Sequence, residues 1–133
     1  MPGTWKLASL MIGAVILSRA ASGAIACEAS VHYAFGQPID IEGVLKSKTG
    51  QHDAQGPFKV IYLELDEAVC VDPGEDAAGT ENPVQRIQIA GDALKPKMPV
   101  GSRVKAKGNL FPAHTQWHVE PVLIDATLIE PEK

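Results

Sequence analysis

Residues 109–121, NLFPAHTQWHVEP, gather two of the chain's four histidines with a threonine, a tryptophan and a glutamate. Three chemistries are open to such a set: metal ligation, recognition of a ligand, or packing and hydrogen bonding around a tight connection. His114 and His118 stand four residues apart, so in an extended strand they share a face but lie about 13 Å from each other. That is too far to share a zinc ion, whose histidine nitrogens sit about 2.0–2.1 Å from it. They converge only if residues 112–117 turn, which Pro112 permits because proline is accepted at a helix start. Two histidines are also fewer than the three protein ligands of a catalytic zinc, and Glu120, the nearest third donor, is awkwardly placed along a strand. No metal and no cofactor is therefore assigned. His114, Thr115, Trp117 and His118 are read as candidate ligand-binding residues, the indole offering a flat face and the threonine and imidazoles offering hydrogen bonds.

Signals of turnover are missing from the sequence. No serine, histidine and acid stand in the pattern of a nucleophile turn, no glycine loop is built to cradle phosphate, and Asp66 and Glu67, being adjacent in a strand, are expected to point to opposite faces. The chain is read as a non-enzyme. The alternatives kept open are a structural envelope protein and a metal-dependent hydrolase using His114 and His118.

The elements that must position these residues begin after a leader. Lys6, the apolar run Leu7–Leu17 and the small-residue site Ala24-Ile25-Ala26 have the layout of a secretory signal peptide over residues 1–26. The run is shorter than the roughly 20 residues a membrane-spanning helix needs, so the mature protein is expected to carry no transmembrane segment and to be periplasmic or secreted. Cleavage there leaves Cys27 as the first residue, which also opens the alternative of lipid attachment. Removing residues 1–26 takes away Lys6 and Arg19 and no acid, so 12 basic against 16 acidic residues becomes 10 against 16, a formal charge of −6. With the remaining cations dispersed, that balance gives no footprint for nucleic acid. An envelope glycan or an extracytoplasmic protein is the expected partner. Cys27 and Cys70, an even pair in an oxidising compartment, read first as a disulfide.

Residues 27–133 suffice for one domain, and strand-like runs divided by Gly and Pro fill it. PIDIEGVLKSK alternates Ile39, Ile41, Gly43 and Leu45 with Asp40, Glu42, Val44 and Lys46. FKVIYLELDEAVCV is apolar on both faces, as a central strand is. VQRIQIAG turns Ile87 and Ile89 inward. SRVKAKGNLF does so with Val104, Ala106, Gly108 and Leu110, and HVEPVLIDATLI with Val122, Ile124, Ala126 and Leu128. TGQHDAQGP should turn the chain, leaving His52 and Asp53 solvated, and the acidic DPGEDAAGTENP lacks the spacing of a calcium loop. Five strands, glycines inside two of them and no long helical period predict an all-β fold: a small five-stranded, OB-like Greek-key barrel.

The order IEGVL, VIYLELDEAVCV, VQRIQIAG and GNLFPAHTQWHVEPVLI, with Cys27 and Tyr33 ahead of them, resembles the bacterial exported domain of unknown function DUF4431. Gly43, Leu45, Leu65, Asp66, Cys70 and Val71 match its first strands; Gly101, Val104, Gly108, Phe111, Thr115, His118 and Val122 match its last pair. Gln116 and Trp117 stand where the family tends to place further histidines. The resemblance implies an exported, disulfide-bonded domain and brings no assigned activity.

Overall fold

In the computed structural model of the 133-residue chain, residues 26–91, 93 and 98–132 are described; the leader, except for Ala26, lies outside them, as does half of the turn expected at DALKPKMPVG. Six strands follow in order: β1 (His32–Ala34), β2 (Pro38–His52), β3 (Gly56–Asp72), β4 (Val84–Ala90), β5 (Arg103–Pro112) and β6 (Val122–Pro131). Among the described residues there is no helix.

β2 pairs antiparallel with both β3 and β5, β5 with β6 and β3 with β4, while β4 and β6 run parallel. The circuit β2-β3-β4-β6-β5-β2 therefore closes, which is the five-stranded OB-like barrel expected from the alternation. Closure pairs most of the edges that an open sheet would leave exposed to aggregation. Inside it stand Leu45, Leu63, Ile87, Val104, Leu110 and Ile124, all essentially without solvent contact. Burying each such side chain stabilises the fold by roughly 1.5–3 kcal/mol.

Gly43 sits where β2 exchanges β5 for β3. A Cβ there would stand 2.5 Å from the Glu64 carbonyl oxygen and 2.9 Å from the Leu63 Cγ, so only glycine lets the strands cross this closely. Gly108 plays the same part between β5 and β6, where its Cβ would meet the Asp125 carbonyl.

Four features differ from the sequence expectation. β2 and β3 are long, with 15 and 17 residues, and only Asp53–Gln55 separates the hairpin ends. Gly56 makes that short return possible with φ of 79°. The face of the last strand changes partway: Lys107 faces Leu128, but Gly108 faces Ala126, so Thr127 is an extra residue. A bulge of this kind reverses the alternation beyond it, so Ile129 is buried and Leu128, expected inward, is 43% exposed. The strand expected to run unbroken through LELDEAVCV is irregular against β4 between Glu64 and Val69, and Asp66 and Glu67 of that stretch border a cleft. Finally, β1 is an added strand, parallel to the end of β3 through His32 beside Cys70, Tyr33 beside Val71 and Ala34 beside Asp72. It brings Phe35 into the core and is fastened by the Cys27–Cys70 disulfide.

Candidate functional site at the hairpin and the 113–121 connection

The alternation that sends Leu63, Ile87, Ile124 and Leu110 into the barrel sends their neighbours out. Tyr62 faces Gln88, Gln88 faces Leu123 and Leu123 faces Phe111, forming one row across the outside of β3, β4, β6 and β5. Val60, Tyr62 and Leu123 are nevertheless buried, apart from the central cluster. Part of their cover is the 113–121 connection, which folds back across this face.

Gln88 holds that connection down. Its Nε2 donates to the Trp117 carbonyl at 2.8 Å, and its Oε1 accepts from the Val119 N–H at 2.6 Å and the Glu120 N–H at 3.1 Å. One buried side chain thus satisfies three main-chain groups of an irregular segment, which could not otherwise lie against a sheet. Glu120 is buried beside it and pairs with Lys48 of β2. A carboxylate so engaged is removed from the histidines, and among the described residues no three His, Cys, Asp or Glu side chains are grouped as a metal site.

The projecting β2–β3 hairpin supplies the other half of the site. His52 and Asp53, expected to be solvated, instead grip the connection. The His52 ring stacks on Trp117 with centroids 4.2 Å apart, and Phe58 meets the same indole edge-on at 4.8 Å. His52 Nδ1 also accepts from the Ala54 and Gln55 N–H groups at 3.1 and 3.2 Å, capping the hairpin turn. Asp53 and Gln116 bond reciprocally: the Asp53 N–H donates to Gln116 Oε1 at 2.8 Å, and Gln116 Nε2 donates to Asp53 Oδ2 at 3.1 Å. Trp117 nevertheless keeps 43% exposure, with half-open Val119 beside it.

His114 and His118 do converge, their ring centroids 4.6 Å apart and nearly perpendicular. The required turn is built by the His118 N–H donating to the Thr115 carbonyl at 3.1 Å and the Trp117 N–H donating to Thr115 Oγ1 at 3.1 Å. His118 Nδ1 accepts from the His114 N–H at 3.0 Å, so the neutral ring carries its proton on Nε2 and has neither nitrogen free for a metal. Thr115 and His118 thus shape the connection and leave Trp117 as its exposed face.

Burial, followed by the neighbouring His114, lowers the His118 pKa below the ordinary imidazole value. The unfolded chain takes up this proton from about pH 6.5 downward, before the folded one does. The associated stability is therefore fully present above that pH and is lost as pH falls through the folded value. Acidification from pH 7.5 to 5 should lower the melting temperature of the wild type more than that of His118→Asn, which keeps an acceptor near the His114 N–H and cannot titrate. Equal losses in calorimetry would separate His118 from the acid response.

The connection, Gln88, Leu123 and Phe111 belong to the carboxy-terminal half of the barrel, as does the family signal, while Tyr62 of the same row comes from β3. Residues 86–130 match the family model DUF4431, a domain of unknown function. The DUF4431 match supports the resemblance carried by VQRIQIAG and GNLFPAHTQWHVEPVLI. It spans most of β4, all of β5 and nearly all of β6, and includes Gln88 and the whole 113–121 connection, while Gly43, Cys70 and the hairpin lie outside it. No curated protein matches the chain.

Proposed function

We propose that the protein is an extracytoplasmic binding module that holds a carbohydrate of the cell envelope against Trp117, without turnover. The exposed indole carries this reading. It is fixed by His52, Phe58 and the Gln88 clamp on its main chain, yet 43% of its surface is left to solvent. A rigid aromatic face loses little entropy when it is covered, and it pairs an apolar surface with nearby polar groups. Thr115, Gln116 and His114 are exposed on the same connection and can bond hydroxyls. OB-type barrels use the loops joining strands one to two and four to five for such binding, and in this barrel those are the hairpin and the 113–121 connection. The acidic balance disfavours a polyanion. The Cys27–Cys70 disulfide and the leader sequence support an extracytoplasmic setting.

Trp5 and Trp117 are the chain's two tryptophans, so a protein cleaved after Ala26 reports on the site through a single fluorophore. Adding the polysaccharide fraction of the native envelope should shift its emission, and the same fraction immobilised should retain wild type but not Trp117→Ala, with circular dichroism little changed. Equal retention of both proteins would reject the site.

A further inference from the structure

The barrel wall splits where β2 changes partners. β2 pairs with β5 over Pro38–Val44 and with β3 over Val44–His52, while β3 leaves β2 at Glu64 and meets β1 only at Cys70. Between them opens a cleft of about 350 Å3 floored by Ile41, Leu65 and Val69, with Tyr33 of β1 at one end. That volume falls at the lower end of small ligand pockets.

The geometry points to this cleft as the docking site of an extended, basic peptide strand, held by main-chain hydrogen bonds. The edges come first. The Leu45 N–H donates to the Ser102 carbonyl and the Leu45 carbonyl accepts from the Gly101 N–H, so odd-numbered residues of β2 direct their main-chain groups toward β5. By the alternation of an antiparallel strand, those of Asp40 and Glu42 face the cleft, where β2 has no ladder partner. Across the gap, β3 from Leu65 to Val69 has no partner on the β2 side.

The molecule already uses this edge once. β1 lies along Cys70–Asp72 as a short parallel strand, and the Cys70 N–H donates to the Val31 carbonyl. The disulfide keeps Cys27 beside Cys70, with a Cα separation of 5.9 Å, so the chain before β1 is drawn back toward Cys70, and of residues 27–31 Val31 alone borders the cleft, at the same end as Tyr33. An incoming strand would continue the line that β1 begins, placing alternate side chains on the apolar floor.

Charge selects the occupant. The rim carries Asp40, Glu42, Asp66 and Glu67 against Lys105. Arg103 engages Asp66 with two nitrogens, but the Lys105–Glu42 and Lys107–Asp40 contacts are loose, at 4.0 and 3.9 Å. Glu67 has no ion pair among the described residues. A peptide alternating apolar and lysine residues meets both the floor and the rim.

The test is titration of the 15N-labelled, disulfide-bonded protein with the acetylated, amidated hexapeptide VKVKVK. Amide signals of Asp40–Gly43 and Leu65–Val69 should shift, with a Kd of about 1 mM or tighter. VEVEVE and a backbone N-methylated VKVKVK should bind at least about tenfold more weakly. Glu67→Lys should reduce the preference for VKVKVK over VEVEVE, and Trp117→Ala should leave binding unchanged, which keeps this result separate from that of the carbohydrate site. No shift with VKVKVK at millimolar concentration, equal binding of the three peptides, or shifts confined to the Trp117 region would each overturn the proposal.

Discussion

Cys70→Ser should lower the melting temperature by about 15–30 °C while leaving the circular dichroism of the barrel recognisable. The bond closes a loop with a sequence separation of 43, for which restriction of the unfolded chain is worth about 4 kcal/mol. In a domain of this size each kcal/mol moves the midpoint by about 4–8 °C. Cys70 is 1% exposed, so the new hydroxyl also enters an apolar site at a cost. Cys27 is partly exposed beside the Thr80 hydroxyl, 3.7 Å from its sulfur, and Cys27→Ser should therefore be the milder change. Loosening should concentrate at β1, which keeps only its short ladder, the 2.8 Å contact of His32 Nδ1 with Asp72 and the buried Phe35. Hydrogen exchange at residues 31–35 should accelerate in both variants and, after reduction, in the wild type. Unchanged melting of the wild type under reducing conditions would show that the cross-link contributes nothing.

How much of this could be read beforehand follows from the period of each signal. The barrel strands were legible because Ile39, Ile41 and Leu45 of β2 alternate with Asp40, Glu42 and Lys46, and Val104, Ala106 and Gly108 of β5 with Arg103, Lys105 and Lys107, and the chain holds one pair of cysteines beyond the leader. β1 was not, since three residues carry no period. The bulge at Thr127 is an insertion of one residue, invisible until strand register is known, and it alone exchanged Leu128 for Ile129 in the core. In the site, Trp117 and the histidine turn were visible as residue types, but their partners were not. His52 and Asp53 lie more than sixty residues from Trp117 and Gln116, in a stretch with the composition of an ordinary turn.

Gln88 was the least legible residue and should matter most to the site. In VQRIQIAG it occupies the outward position of an alternating strand, where a glutamine reads as solvated; only the fold-back of the 113–121 connection buries it. Gln88→Leu keeps the approximate volume and removes one donor and two accepted hydrogen bonds, stranding the Trp117 carbonyl and the Val119 and Glu120 N–H groups. Each buried group left unpaired costs about 1–3 kcal/mol, and because residues 113–117 face water the connection can recover part of this by lifting away, for a net loss of about 2–4 kcal/mol. That corresponds to a fall of about 10–20 °C in melting temperature. Lifting would also draw Trp117 off His52 and Phe58, so the single-tryptophan emission should move to longer wavelength and retention on the envelope polysaccharide should be lost although the indole is present. Gln88→Glu retains the acceptors for Val119 and Glu120 but loses the donor to the Trp117 carbonyl, so it should fall between wild type and Gln88→Leu on all three measurements. If Gln88→Leu melts and emits like the wild type, the connection is held by the Lys48–Glu120 pair and the Trp117 contacts alone.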